Sequence, residues 1–292
     1  MRASALARGS AVIAVLCVAV AAVAAGAAGC RPAMGPAQTT FATPEDGAKA
    51  LIEVAKRGKA DDLMKLLGPN AQPLVDASDP KTARQHREVF VVAAAEGWRL
   101  ADSGPDNRVL VVGHEAWPFP VPIVKDGARW RFDSVAGVEE VQARQIGRNE
   151  LGAIRACRTY VVAQRLYARN GHDGKPAGLF ATALRSDAGK HNGLYWPAAR
   201  GEKRSPLGDL IADAGADGKS PFHGYHFKIL PPRDAQGFAL MAWPATYDVT
   251  GIMTFVIDQD GTVRQKDLGS DTAQAAAAIT ATSADATWDA VQ

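Results

Sequence analysis

Regularly spaced acids are the first candidates for chemistry in this chain. In "TFVIDQDGTVRQKDLG", Thr254 to Gly269, the residues Asp258, Asp260, Gly261 and Asp267 fall near the spacing of an EF-hand calcium loop. Such a loop needs a carboxylate at its first position, glycine at its sixth and a bidentate Glu at its twelfth. With Gly261 as the sixth, Val256 stands first and Asp267 twelfth, and strand formers flank the loop where helices are required. Asp260-Gly261 is therefore expected to be a hairpin turn, with Gly261 free to take positive φ. "GADGKS", Gly215 to Ser220, imitates a phosphate-binding loop, but Asp213 occupies the position of the first glycine. His223 and His226 would point to opposite faces of a strand, and none of the six His stands in a zinc-type motif. There is no G-x-S-x-G nucleophile elbow. Cys157 is read as a small buried residue. These readings leave no expected metal, cofactor or catalytic residue.

A second set of residues suits recognition instead of reaction. Trp117, Phe119, Tyr195, Trp196, Trp243 and Tyr247 offer broad apolar faces, several with a polar edge. Gathered in one groove they would serve a peptide or a glycan. The competing expectation is that they plug the junction between a loop and a sheet.

The elements that must position these residues begin after an apolar leader. Arg2 and Arg8 are the only charges before Cys30, and "GSAVIAVLCVAVAAVAAGAAG" lies between. This is the pattern of a secretory signal over residues 1–29. "AAGC" resembles the bacterial lipobox, in which cleavage exposes a lipidated Cys, here Cys30. Ala27 stands where Leu is usual, so an ordinary cleaved signal and an uncleaved anchor stay open. Residues 30–40 then read as a lipidated Cys and a Pro-containing tether. Removing Arg2 and Arg8 from the 33 basic residues leaves 31, equal to the 31 acidic ones. A neutral mature chain gives no case for nucleic acid as a partner. The expected location is the bacterial cell envelope, periplasm-facing, held to a membrane through Cys30, with an envelope protein or glycan as partner.

The remaining chain reads as two α+β domains, 41–135 and 136–292. In the first, Thr43 caps a helix stopped by Gly58, a short helix covers Asp61 to Leu67, and Asp79-Pro80 opens a third that runs to Glu96. An antiparallel sheet follows, including Val109 to Val112 and a hairpin at Lys125-Asp126-Gly127. Three helices followed by such a sheet are similar to a cystatin-like cone. The second domain opens with a long helix from Ser134 to about Asn170, bent near Gly147. Its expected apolar stripe is Leu151, Ile154, Cys157, Val161 and Val162. Arg144, Arg148, Arg155, Arg158, Arg165 and Arg169 surround that stripe, as a solvated face or as a docking face for anionic lipid or peptidoglycan. A Gly-rich excursion spans 170–221, and four strands close the domain between Gly224 and Asp267.

"IVKDGARWRFDS", "RQIGRNELGAI", "GLYWPA", "SPLG" and "TYDVTGIMTFVIDQDGTVRQKDLG" resemble the bacterial family known as domain of unknown function 2950. The resemblance covers nearly all of Phe41 to Gln292. It implies export and supplies no catalytic residue. The loop "ARNGHDGKPAGLFATALRS" departs from the family in lacking an acid-rich Asp-x-Asp-Gly run, which removes support for a metal there. The second half also looks like the globular part of a pseudopilin, a helix packed on an antiparallel meander. The function expected from these features is non-catalytic binding or scaffolding in the envelope. The alternatives are a small-ligand binder with a cavity in the first domain and a cell-wall hydrolase with an unfamiliar acid pair.

Overall fold

The computed structural model describes residues 38–76, 79–198, 200–202, 204–208, 211–212, 220–231, 237–280 and 287–291. The leader, Cys30, the tether up to residue 37 and residues 215–219 of the phosphate-loop mimic lie outside the described residues.

Helix α1, Pro44–Arg57, starts where the Thr43 hydroxyl accepts the Asp46 N–H, and it stops at Gly58 with φ of 69°. Helix α2, Ala60–Leu67, ends at Gly68. A 3₁₀ turn, Pro69–Ala71, and a short helix α3, Gln72–Asp76, come next. Helix α3 is not among the expected elements, since Pro69 and Pro73 flank and open it. A proline in the first turn loses no helical hydrogen bond, so both are tolerated there. Helix α4, Pro80–Glu96, is capped by the Asp79 carboxylate, which accepts the N–H groups of Lys81 and Thr82.

Five antiparallel strands follow: β1 Trp98–Asp102, β2 Asn107–Val112, β3 Trp117–Pro118, β4 Ile123–Asp126 and β5 Arg129–Phe132. They run in the order β1-β2-β4-β5, with β3 also paired to β2. The β4–β5 turn takes Gly127 at φ of 61°. Leu51, Leu66, Leu110, Ile123 and Phe132 fill the space between these strands and helices α1 to α4.

Helix α5 is the longest element, 35 residues from Ser134 to Ala168, about 52 Å at 1.5 Å per residue. The Asp133 carboxylate accepts the Ala136 N–H at its start, and the helix continues through Gly147 without a break as far as Ala168. Its buried face includes the expected Ile154, Cys157 and Val161 together with Ala153, Ala156, Tyr160, Ala163, Gln164 and Tyr167. The expected stripe is corrected at two positions: Leu151 is 57% exposed and Val162 is 55% exposed. Relative to Ala153, Leu151 lies about 160° and Val162 about 180° around the helix, at 100° per residue.

The second sheet is an antiparallel meander of β6 Tyr225–Leu230, β7 Ala239–Pro244, β8 Met253–Asp258 and β9 Arg264–Asp267, with β10 Asp289–Ala290 added at the β9 edge. Side chains alternate between its faces. Leu240, Ala242, Phe255 and Ile257 meet the small-residue face of α5. Ala239, Met241 and Val256 meet Ala276 of helix α6, Thr272–Ala278, together with Trp288. Gln164, fully buried, donates to the Tyr160 hydroxyl and the Ala181 carbonyl and accepts the Ala181 N–H. It thereby fastens the Gly-rich excursion to α5. At the other end of α5 the buried Ser134 hydroxyl donates to the Leu67 carbonyl, and Gln38 donates to the carbonyls of Leu67 and Phe132. The fold is mixed α and β with two antiparallel sheets, as expected.

Two glycines of α5 give opposite tests of this packing. A Cβ on Gly137 would sit 2.7 Å from the buried Val121 side chain, whereas nothing lies within 4 Å of one on Gly147. Gly137→Ala is expected to lower stability by about 2 kcal/mol through overpacking. Gly147→Ala is expected to raise it by up to about 1 kcal/mol through helix propensity. Urea unfolding of the two variants checks both signs.

Candidate binding surface

The six aromatic residues occupy three settings. Trp117 is 43% exposed on β3, with the Phe119 ring 6.2 Å away edge-on and Phe90 tilted 5.5 Å beyond that. Tyr195 and Trp196 stand on the Gly-rich excursion. Tyr195 is half-buried beneath the Arg185 guanidinium at 4.5 Å. Trp196 is only 4% exposed and lies between His191, at 4.5 Å, and His172, at 5.7 Å. Its indole belongs to the α5 core, so it is corrected from a surface residue to a packing residue. Trp243 and Tyr247 lie on β7 and after it. Trp243 pairs across the strands with His226 and packs on the Trp288 side of the sheet. The Tyr247 hydroxyl donates to Asp267.

The hairpin that imitated a calcium loop uses its acids on its own backbone. Asp258 accepts the Asp260 N–H at 2.9 Å, and Asp260 accepts the Thr262 N–H at 2.6 Å. Arg264 completes the turn with a 2.7 Å ion pair to Asp260. Burial pushes the Asp260 carboxyl up, but Arg264, the Thr262 N–H and Asp258 outweigh it and hold the group at about 2. Burial pushes the Asp258 carboxyl above its ordinary range. Among the described residues no cluster of three or more His, Cys, Asp or Glu is placed to hold a metal ion.

A polar interlock that the sequence reading missed joins α5 to the β7–β8 connection. Glu150 accepts the N–H groups of Ile252 and Met253, both at 3.0 Å. Asn149 donates to the Thr250 carbonyl at 2.9 Å, and the Tyr225 hydroxyl donates to the Met253 carbonyl at 2.9 Å. Burial, then the Glu150 charge, pushes the Tyr225 phenol well above its ordinary range. Three glycines make the close approach possible. A Cβ would fall 2.1 Å from the Tyr225 hydroxyl at Gly251, 2.6 Å from the His223 ring at Gly152 and 2.8 Å from the Asn149 amide at Gly224. The signal in the sequence was those glycines beside "RNE" and "HGY". Glu150, Asn149 and Tyr225 each bond a backbone group of the connection, so the interlock positions that loop.

The outward face of α5 is different. Arg148, Leu151, Arg155, Arg158, Val162, Arg165, Leu166 and Arg169 lie within about 60° of one line along the helix and are all exposed. Arg144 continues the line, with its guanidinium 5.6 Å from the Trp117 ring and a hydrogen bond to the Pro118 carbonyl. Trp117 therefore adjoins this face. Arg144 pairs with Glu140, but from Arg148 onward no arginine of the face pairs with a carboxylate among the described residues. Arg148 donates to Gln145 and Arg165 to the Gln259 carbonyl. Guanidinium forks left open in this way fit the oxygens of phosphate or carboxylate. No helix among the described residues is long and apolar enough to cross a membrane.

Residues 38–291 match the family described as "Protein of unknown function (DUF2950)", and the chain belongs to that family. No curated protein and no solved structure matches the chain.

The interlock and the hairpin each carry a test. Glu150→Ala is expected to cost about 2 kcal/mol by leaving two backbone donors without their acceptor, and Glu150→Gln less than half of that. Urea unfolding measures both. For the hairpin, the folded value of Asp260 lies below the ordinary 3.8. Its contribution is present above that ordinary value and lost as pH falls through about 2. Asp260→Asn is thus expected to be less stable than the parent at neutral pH, with the gap closing from about pH 4 to about pH 2. A gap that does not change with pH would overturn this.

Proposed function

We propose that this DUF2950-family chain is a bacterial cell-envelope lipoprotein, acylated at Cys30, that acts by non-catalytic binding or scaffolding at a membrane surface. The observation that carries the reading is the outward α5 face with Trp117 at its edge, where five arginines from Arg148 to Arg169 lack acidic partners among the described residues. The apolar leader and the lipobox-like "AAGC" support export and anchoring. The tether places few residues between Cys30 and Gln38, so an acyl chain there would keep the fold close to a bilayer.

The same reading covers the organisation of the chain. Helices followed by a sheet over 41–135 support a cystatin-like cone as the first domain. A long helix on a meander over 136–292 supports a pilin-like packing as the second. The division into two domains, 41–135 and 136–292, belongs to this proposal. The anchored, periplasm-facing location and an envelope protein or glycan as partner belong to this proposal.

Metabolic labelling with a fatty-acid analogue tests the anchor. The native chain is expected to take up label and fractionate with membranes, and Cys30→Ser to abolish the label. Label that persists in Cys30→Ser overturns the lipoprotein reading. Crosslinking in the intact envelope tests the scaffold: a discrete protein or glycan adduct is expected, and adducts with bulk lipid alone would overturn that part.

A further inference from the structure

The outward face of α5 carries a more specific assignment than binding in general. Ordinary exposed helix faces in this protein alternate acid and base. Arg84 pairs with Glu88 on α4, Glu53 with Lys56 on α1, and Glu140 with Arg144 at the start of α5. Such i,i+3 and i,i+4 pairs are what a merely solvated face is expected to show. Beyond Arg148 the pattern stops. Over the 21 residues to Arg169, about 32 Å of helix, the outward line holds only arginines and aliphatics. Leu151, Val162 and Leu166 stand 57%, 55% and 41% exposed among them. The acid nearest in sequence, Glu150, is turned away and engaged by Ile252 and Met253.

Two properties select the occupant. The unpaired guanidiniums call for a surface dense in negative oxygens. The interleaved Leu and Val, with Trp117 at one end, call for that surface to have an apolar layer directly beneath. A bilayer of anionic phospholipid has both, whereas a glycan or a nucleic acid lacks the second. Arginine with aliphatics along one helix line and an indole at its margin is the composition of a helix lying in the headgroup plane.

We propose that α5 docks lengthwise on an anionic phospholipid surface. Arg148, Arg155, Arg158, Arg165 and Arg169 meet phosphates, while Leu151, Val162 and Leu166 enter the headgroup–acyl boundary. This rests on the envelope reading above for the presence of the bilayer, but its test does not depend on acylation. Docking would present the opposite side of the sheet, with α6 and Trp288, to the aqueous compartment.

The experiment uses the full chain as Cys17→Ser/Cys30→Ser/Val162→Cys, labelled with an environment-sensitive fluorophore. Cys157 is fully buried and its thiol is pushed up to about 12, so it stays unlabelled in the folded protein. With vesicles of equal phosphatidylglycerol and phosphatidylcholine the emission is expected to shift to the blue, and to revert at high salt. With phosphatidylcholine alone no shift is expected. Arg155→Glu/Arg158→Glu/Arg169→Glu should weaken the phosphatidylglycerol effect at least ~10-fold, given the contribution of each basic residue near an anionic surface. The corresponding triple Lys variant should keep it, and unchanged circular dichroism shows that both are folded. Equal shifts with the two lipids, or an unchanged response after charge reversal, overturn the proposal. A shift with peptidoglycan fragments or a protein fraction but not with vesicles overturns it as well. Loss of acyl labelling at Cys30, by contrast, would sink the anchor and leave this measurement standing.

Discussion

The burial of one narrow face of α5 is the constraint on which the rest of the structure depends. Ala153, Ala156, Cys157 and Ala163 are small enough to let the helix lie close on β7 and β8. Tyr160 and Gln164 then supply the polar groups that close approach would otherwise orphan. Tyr160 donates to the Ala239 carbonyl, and Gln164 satisfies both backbone groups of Ala181. A buried amide left without partners costs about 1–3 kcal/mol, so Gln164 fixes the helix, the sheet and the Ala181 stretch of the excursion in one arrangement. The same helix begins at Ser134, hydrogen-bonded to Leu67, and so carries the first half of the chain on its opening turns. From Arg148 onward this helix buries one side only. Its other side is left to solvent or to something else.

The acidic residues show how position decides chemistry. Asp258 and Asp260 were the first candidates for a metal because of their spacing, yet spacing says nothing about where the lone pairs go. In the turn they accept N–H groups two residues ahead, and Arg264 takes what remains of Asp260. Glu150 attracted no attention in the sequence, since it sits alone in a helix between Asn149 and Leu151. It becomes the carboxylate that holds two strand-entry amides only because Gly251 and Gly152 let the loop come within reach.

Local rules were legible in the sequence; tertiary choices were less so. Caps at Thr43 and Asp79, stops at Gly58 and Gly68 and the turns at Gly127 and Gly261 depend on a few adjacent residues, and the chain adopts them as expected. The α5 stripe is different. Leu151 and Val162 score as core by side chain alone, while Ala153, Ala163 and Gln164 do not. The sheet selected the small face because it allows close packing, and hydrophobicity counting favours the large one. The aromatic set went astray for a related reason. Trp196 has an exposed-looking context of Gly and Pro, but the excursion folds back and uses the indole to cover the end of α5 between two His rings. Trp117 kept its exposure because β3 is only two residues long and ends in Pro118, with Arg144 held over the ring.

The two errors in the α5 stripe are also what give its outer face meaning. Had Leu151 and Val162 been buried, the arginines would have been a charged rim of the ordinary kind. Placed outward, they make a mixed line in which charge and apolar surface alternate along one element. Formal neutrality of the chain beyond residue 29 hides this, because a net charge is a sum over the whole surface and a docking face is local. The acids that balance the arginines are spent elsewhere, in caps at Asp79 and Asp133, in the Glu150 clamp and in the Asp258–Asp260 turn. Each of those carboxylates accepts backbone N–H groups, Asp260 pairing with Arg264 as well, so none is free to neutralise α5 without undoing a turn or a helix start. Along α5 beyond Arg148, unlike on the other helices, the arginines are left without those acids and face outward.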